Sequence, residues 1–462
     1  MIDQMANINM SYLVELSKDT GRAAEEFENF NRFLAEQGCM FGEDPLPILL
    51  KPNFISPKQT QTLTYAVEKI SSVLNKFIGL YLRDEQARNV LKFSDEENEL
   101  FFIDPKYTTP LVISRLDAFM NDYAVKFLEF NCDSPAGASY SDVVELGFRN
   151  VLQKYSFLDS WEVEYTSRNG PLLDALLTCY NEFRAGNSSL PSRPVIAIVD
   201  WQDVSTSTEF EMLKEFFSDR GYPTLVTSPQ QFRISGDRLL ADGEQVHLIY
   251  KRLITRELLE RRDEAEDFIQ GIRDGLACTC NPFRSYIVGN KKILAALTDP
   301  RFQHIYDADE LEAIRRTIPW TKILADTKVT YKGFAVGLRT FISDNREKLV
   351  LKPATSYGGK DVFLGNETDQ ETWERVIDEN IEAETWVVQE YVPIPREIFP
   401  VINGESLNLH LKNVNINPFA FLGKYSGTIS RVSDSSIINV SQGGGIVPTV
   451  KAAKKKDIIE LD

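Results

Sequence analysis

Histidine is scarce in this chain of 462 residues, occurring only at His247, His304 and His410. None of the three sits beside a nucleophile motif, and GxSxG, HExxH, the Walker lysine loop and GxGxxG are all missing. Triad hydrolases, zinc proteases, P-loop NTPases and simple dinucleotide enzymes lose weight together. The five cysteines (Cys39, Cys132, Cys179, Cys278, Cys280) form no CxxC pair and read as free thiols. Cys278-Thr-Cys280 offers two thiolates, which do not complete a tetrahedral metal site, so packing is the expected role. Long apolar runs are missing too: VIAIV at 195–199 is far too short to cross a bilayer. The opening residues carry no charged segment followed by an apolar one, so no secretory signal is expected and the protein is read as cytoplasmic. Positive charge is in deficit, with 51 Lys and Arg against 68 Asp and Glu and a net charge of −17. That balance argues against a general nucleic-acid binder, which needs a lysine and arginine excess to meet phosphates.

What is present is an ordinary globular mixture, 43% hydrophobic and 26% charged, long enough for two or three domains. Residues 19–38 have a charged helical pattern, and 46–50 read as a short strand. Ser56 is a helix N-cap with Pro57 at the first helical position of a long amphipathic helix through Leu82. Two β-rich segments, 112–119 and 123–130, flank Asn121-Asp122, which is good hairpin chemistry. After a loop at 184–194, the apolar run 195–199 predicts a buried parallel strand. A helix and a second strand at 224–227 complete one βαβ-like unit, followed by a hairpin over 233–243. Beyond Pro282 a helix holding Lys291 and Lys292 precedes strands near 348–352, 385–392 and 419–424. The expected divisions are 1–45 (helical extension), 46–185, 186–280 (central α/β domain), 281–450, and a charged tail at 451–462.

Four constellations carry candidate chemistry. In strands, residues two apart share a face, so Arg115 sides with Asp117 and Glu129 with Asn131. If odd positions pair with odd, all four converge; a bulge or a three-residue loop would supply that register. Two carboxylates and an amide oxygen are hard ligands suited to Mg²⁺, and a neighbouring arginine can stabilise a transferring phosphoryl group. Alternatively these are ordinary charges on a solvent face. The next segment, Cys132 to Gly137, turns sharply where a strand delivers polar residues. The second constellation is Lys352-Pro353 at the end of an apolar strand, then Gly358-Gly359, whose missing Cβ atoms let backbone N–H groups approach phosphate. The third is Gln389-Glu390 within an apolar strand, where either side chain can face an adenine amino group or solvent. The last is Arg431, whose planar fork suits phosphate or carboxylate, followed by three glycines at 443–445 that are either a linker or a backbone-approach loop. Arg252, ending a strand, is either a substrate-carboxylate ligand or a solvated strand end.

In this order the motifs resemble the circularly permuted ATP-grasp ligases, and specifically the synthetase domain of glutathionylspermidine synthetase. The similarity runs as an ordered motif set over nearly all of the chain after the first forty or so residues. It implies an α/β (α+β) architecture, a circularly permuted ATP-grasp fold with a central pre-ATP-grasp-like α/β domain. It implies ATP and Mg²⁺ as cofactors. Asp117, Glu129 and Asn131 then correspond to magnesium ligands, and Arg115 to the arginine on the transferring phosphoryl group. Lys291 and Lys352 correspond to nucleotide lysines, Gly358 and Gly359 to the phosphate-covering loop, and Arg431 to the late arginine. Gln389 or Glu390 holds the hinge position. The implied reaction joins a small-molecule or short-peptide carboxylate to an amine, with no nucleic acid or membrane involved and a homodimer allowed. A kinase on the same fold, or a nucleotide-binding scaffold without turnover, are the alternatives. No cysteine amidase region precedes the motif set, so no amidase activity is expected. The run after Asn131 departs from the polyamine ligase, so glutathione and spermidine do not follow as substrates.

Overall fold

A computed structural model describes residues 4–187, 189–202, 204–356, 358–438 and 444–455. Tyr357, residues 439–443 of the late glycine segment and 456–462 of the expected tail lie outside the described residues.

Three sheets position the site. The largest is eight-stranded, with a central path Asn53–Ile55, Gly445–Lys454, Lys424–Ser433, Ser406–Phe421, Ile113–Asn121 and Ala124–Asn131. Arg396–Asn403 adds onto Ser406–Phe421, and Trp161–Glu164 onto Gly445–Lys454. The long helix Pro57–Arg83 packs on one side of this sheet, sharing a core with Leu116, Ile416 and Val432. It starts where its sequence requires: Ser56 accepts from the Gln59 N–H while the Gln59 side chain accepts from the Ser56 N–H, and Pro57 opens the first turn. Helices Gln4–Lys18 and Thr20–Glu36 share a second core with helix Ala138–Leu152 and with Val450 and Ala452.

The second sheet is the central unit, all parallel, in the order Cys278–Cys280, Leu248–Lys251, Ile196–Val199, Thr224–Thr227. Ile196–Val199 is buried at every residue, as a strand covered on both faces must be. The third is a small antiparallel sheet, Thr321–Ile323, Trp386–Glu390, Leu349–Pro353 and Phe363–Leu364, with its own core around Trp373 and Leu351.

Some boundaries differ from the sequence reading. Residues 46–50 form no strand beyond a single bridge from Ile48 to Ile446, because Pro47 has no N–H to continue a ladder. Lys291 precedes the short helix Lys292–Leu297 rather than lying within it. Residues 451–454, expected in a charged tail, are the end of strand Gly445–Lys454, paired with both Asn53–Ile55 and Trp161–Glu164. Buried Val450 and Ala452 alternate with the partly exposed Lys451 and Ala453, which gives that strand a buried side.

Candidate functional site

The metal-type residues converge because a hairpin carries a defect. Asn121 pairs with Ala124 across a two-residue turn in which Asp122 takes a positive φ of 52°, a conformation Asp tolerates better than most residues. That turn pairs odd positions with even ones, which would put Asp117 and Glu129 out of phase. A bulge between Asp117 and Ala118 shifts the ladder by one, so Asp117 faces Glu129 and Arg115 faces Asn131. The extra residue is Leu128. Its carbonyl oxygen accepts a hydrogen bond from Lys352 Nζ at 2.8 Å. One bulge thus aligns the polar side chains and supplies a lysine acceptor.

Asp117 is buried and accepts from Arg115 Nε at 3.0 Å and from Arg431 Nη1 at 3.2 Å. Glu129 lies 3.1 Å from Lys291 Nζ, which also donates to the Ser356 carbonyl at 2.6 Å. Burial alone would raise the Glu129 pKa. The charges of Lys291 and Lys352 and the hydrogen bond from Lys291 outweigh it and hold the carboxyl at about 2. Lys352 has only neutral acceptors, Leu128 O and Gln389 Oε1, both at 2.8 Å. Burial, joined by the nearby Lys291 charge and only partly offset by Glu129, brings its pKa down to about 7. Arg431 is lowered by burial and by Arg115, against the pull of Asp117 and Glu129.

All eleven candidate residues, Arg115, Asp117, Glu129, Asn131, Lys291, Lys352, Gly358, Gly359, Gln389, Glu390 and Arg431, line one cavity of about 1160 Å³, its open mouth included. The eight-stranded sheet supplies one wall and the small antiparallel sheet the other, with an apolar slot of Val350, Leu364, Val392 and Ile394. Gly358 and Gly359 have φ of 72° and 73°, and a Cβ on Gly359 would meet Ile437 Cγ2 at 2.4 Å. This loop therefore closes against the segment after Arg431 in a way only glycine allows.

The donor set fits a magnesium ion. Asp117 and Glu129 pair across the hairpin, Asn131 follows Glu129 on the same strand face, and the buried Nδ2 end of the Asn131 amide has no hydrogen-bond partner. Half a turn of that amide places its oxygen there instead. Among the described residues no group of three His, Cys, Asp or Glu side chains gathers, so a softer-metal site is not offered elsewhere.

Gln389 is 2% exposed and both ends of its amide are engaged, by Lys352 and by Thr321 Oγ1 at 3.0 Å. Glu390, the next residue, also lines the cavity and is partly exposed. Arg252 corrects both of its sequence readings. It is 4% exposed, donates to Pro135 O at 2.5 Å and lies 3.3 Å from Glu209 Oε2, so it is neither solvated nor free for a substrate.

Sequence reasoning missed the frame behind the Cys132–Gly137 turn. Asp133 accepts from Lys251 Nζ at 2.5 Å and from the Thr255 N–H at 2.7 Å. Ser134 donates to the Arg252 carbonyl, Gly137 N–H donates to Glu209, and Asn281 Nδ2 donates to Cys132 O at 3.1 Å. The turn so held presents Ala136 O to Arg115 Nη1 at 3.0 Å. Thr321 and Asn415 were also missed. The alternation of Asn413, Asn415 and Asn417 on one strand face was a legible sign for Asn415, whereas Thr321 had none.

No family model matches the chain, and no curated protein matches it. Among solved structures, it is similar to a glutathione synthetase-like effector from Globodera pallida in its apo form. The TM-score is 0.62 at 13% identity, covering 93% of this chain and 97% of that one. The fold is ATP-grasp-like. Two more distant likenesses carry no argument. One is a putative γ-glutamylcysteine synthetase from Methylobacillus flagellatus, with TM-score 0.40, 9% identity and coverage of 86% and 89%. The other is a RimK-domain ATP-grasp protein from Sphaerobacter thermophilus, with TM-score 0.28, 15% identity and coverage of 56% and 90%. In the ATP-grasp-like architecture of this chain, the carboxylate hairpin precedes both lysines in sequence, the order on which the reading of a permuted arrangement rests. No helix among the described residues is long and apolar enough to cross a membrane.

Proposed function

We propose that this protein is an ATP- and Mg²⁺-dependent ligase joining a carboxylate to an amine. The observation that carries the reading is the single cavity between two sheets. It gathers Asp117, Glu129 and Asn131 with Arg115, Arg431, Lys291 and Lys352, beside the apolar side chains of Val350, Leu364, Val392 and Ile394. The likeness to a glutathione synthetase-like protein supports the same class.

In this reading Asp117, Glu129 and Asn131 would hold magnesium, which would supply charge neutralisation when bound. Lys291 and Lys352 bind phosphate oxygens, and the glycine loop covers them. The hinge at 390–392 rather than Gln389 would meet the base, because the Gln389 amide is already committed to its neighbours. A substrate carboxylate oxygen attacks the γ-phosphorus, the bond to ADP breaks, and an acyl phosphate forms. An amine nitrogen then attacks the acyl carbon, phosphate departs, and the nitrogen loses a proton. Arg115 and Arg431 stabilise charge on the transferring group, so the protein acts by positioning and electrostatics rather than as a covalent nucleophile.

The test is ADP and phosphate release with Mg²⁺-ATP against panels of carboxylates and amines. ADP formation that needs both partners and yields an amide supports the ligase. A stable phosphorylated product formed without an amine makes the protein a kinase, and nucleotide binding without turnover under any pairing makes it a scaffold.

A further inference from the structure

Thr321 belongs to no motif, yet it is fully buried behind the nucleotide lysine. Strand Thr321–Ile323 flanks Trp386–Glu390 with Thr321 directly opposite Gln389. The Thr321 hydroxyl has one proton, and it goes to the Pro319 carbonyl, an acceptor only, at 2.9 Å. The oxygen is left as an acceptor, and Gln389 Nε2 fills it at 3.0 Å. An amide whose NH₂ is held on one side has its carbonyl for the other, and Gln389 Oε1 accepts from Lys352 Nζ at 2.8 Å. With Leu128 O as the second acceptor, two of the three ammonium protons are fixed, which leaves the third for the cavity that Lys352 lines.

We propose that Thr321 is a positioning residue for the nucleotide, acting through the Gln389 amide to hold the Lys352 ammonium in its seat. This rests on the ATP-site reading above. Without the hydroxyl, the amide is free to turn and present NH₂ to the ammonium. Two donors then face each other, and Lys352 leaves the position from which it meets phosphate.

The experiment is calorimetric binding of a non-hydrolysable ATP analogue with Mg²⁺ to four variants: Thr321→Val, Thr321→Ser, Lys352→Met and the Thr321→Val/Lys352→Met double. Thermal melts confirm that each is folded. Thr321→Val should weaken binding about tenfold, and Thr321→Ser, which restores the hydroxyl, should stay within about twofold of the parent. Lys352→Met should weaken binding about a hundredfold, with no further loss when Thr321→Val is added, because the effect passes through the lysine. Binding by Thr321→Val at the parent affinity, a loss that persists in full on the Lys352→Met background, or a serine variant as weak as the valine one overturns the positioning role while leaving the ATP site intact. A parent protein that does not bind the analogue overturns both. Where Thr321→Val does not fold, the serine variant and Gln389→Leu, compared on the Lys352→Met background, give the same decision.

Discussion

Two clusters of buried charge lie next to each other in sequence and behave in opposite ways. Glu129 and Asn131 belong to the cavity cluster, while Asp133, two residues on, belongs to a sealed frame with Lys251, Arg252 and Glu209. In the frame, carboxylates meet cations and backbone N–H groups at hydrogen-bond distance, and only the Nε of Arg252 lacks a partner. In the cavity, Lys352 has only neutral acceptors and the Asn131 amide has an unpaired buried end. Burial carries a desolvation cost in both places, heavier in the sealed frame than in the cavity. Where the protein itself supplies the counter-charges the cluster serves the fold, and where they are incomplete the cluster suits the charged ligand proposed above.

That contrast can be broken by mutation. The largest effect expected is on turnover: Asp117→Ala or Glu129→Ala should lower ADP formation by at least about 10³ while the melting curve keeps its cooperativity. Turnover retained in both variants would remove magnesium from these residues. In the frame the order reverses. Arg252→Met leaves Glu209 buried without its cation and should cost about 3 kcal/mol in denaturant unfolding, an effect on the fold rather than on one substrate. A melting midpoint equal to that of the parent would show that the frame is not a structural unit.

Lys352 sharpens the comparison through pH. Its pKa is lowered from 10.5 to about 7 in the fold, so between these values the unfolded chain binds the extra proton. Below pH 7 the lysine is charged in both states and the full burial cost is felt. As pH rises from 7 toward 10.5 that cost is relieved and stability increases. Lys352→Met should therefore be more stable than the parent at pH 6, by a few kcal/mol at most, and the advantage should shrink by pH 9. Matched urea titrations at the two pH values check this, and a destabilised methionine variant at pH 6 would contradict it. The smallest effect is expected at the loop. Gly359→Ala meets Ile437 at a positive φ, so it should cost about 1 kcal/mol and weaken nucleotide binding several-fold. An unchanged affinity by calorimetry would separate the loop from the nucleotide.

Much of the site was legible because its residues sit at strand positions with simple rules. Arg115 with Asp117, and Glu129 with Asn131, share faces by the two-residue period, and Ser56-Pro57 announced a helix that starts there. The central parallel strand at 196–199 was legible from an unbroken apolar run. Arg252 was misread because burial is not written in a strand end; the carboxylate that claims it, Glu209, lies on a helix some forty residues earlier. Thr321 was invisible, since one threonine at a strand start resembles any other.

The amino-acid sequence by itself determined which residues could do chemistry and, through strand alternation, which neighbours share a face. Tertiary structure alone decided three things. It placed the bulge at Leu128 that brings the two hairpin strands into phase. It set the small antiparallel sheet opposite the large one, closing a cavity between them. It also decided which buried charges found partners within the protein. The physical reason is common to all three: register, enclosure and charge pairing depend on contacts between segments far apart in the chain, and local spacing carries no record of them.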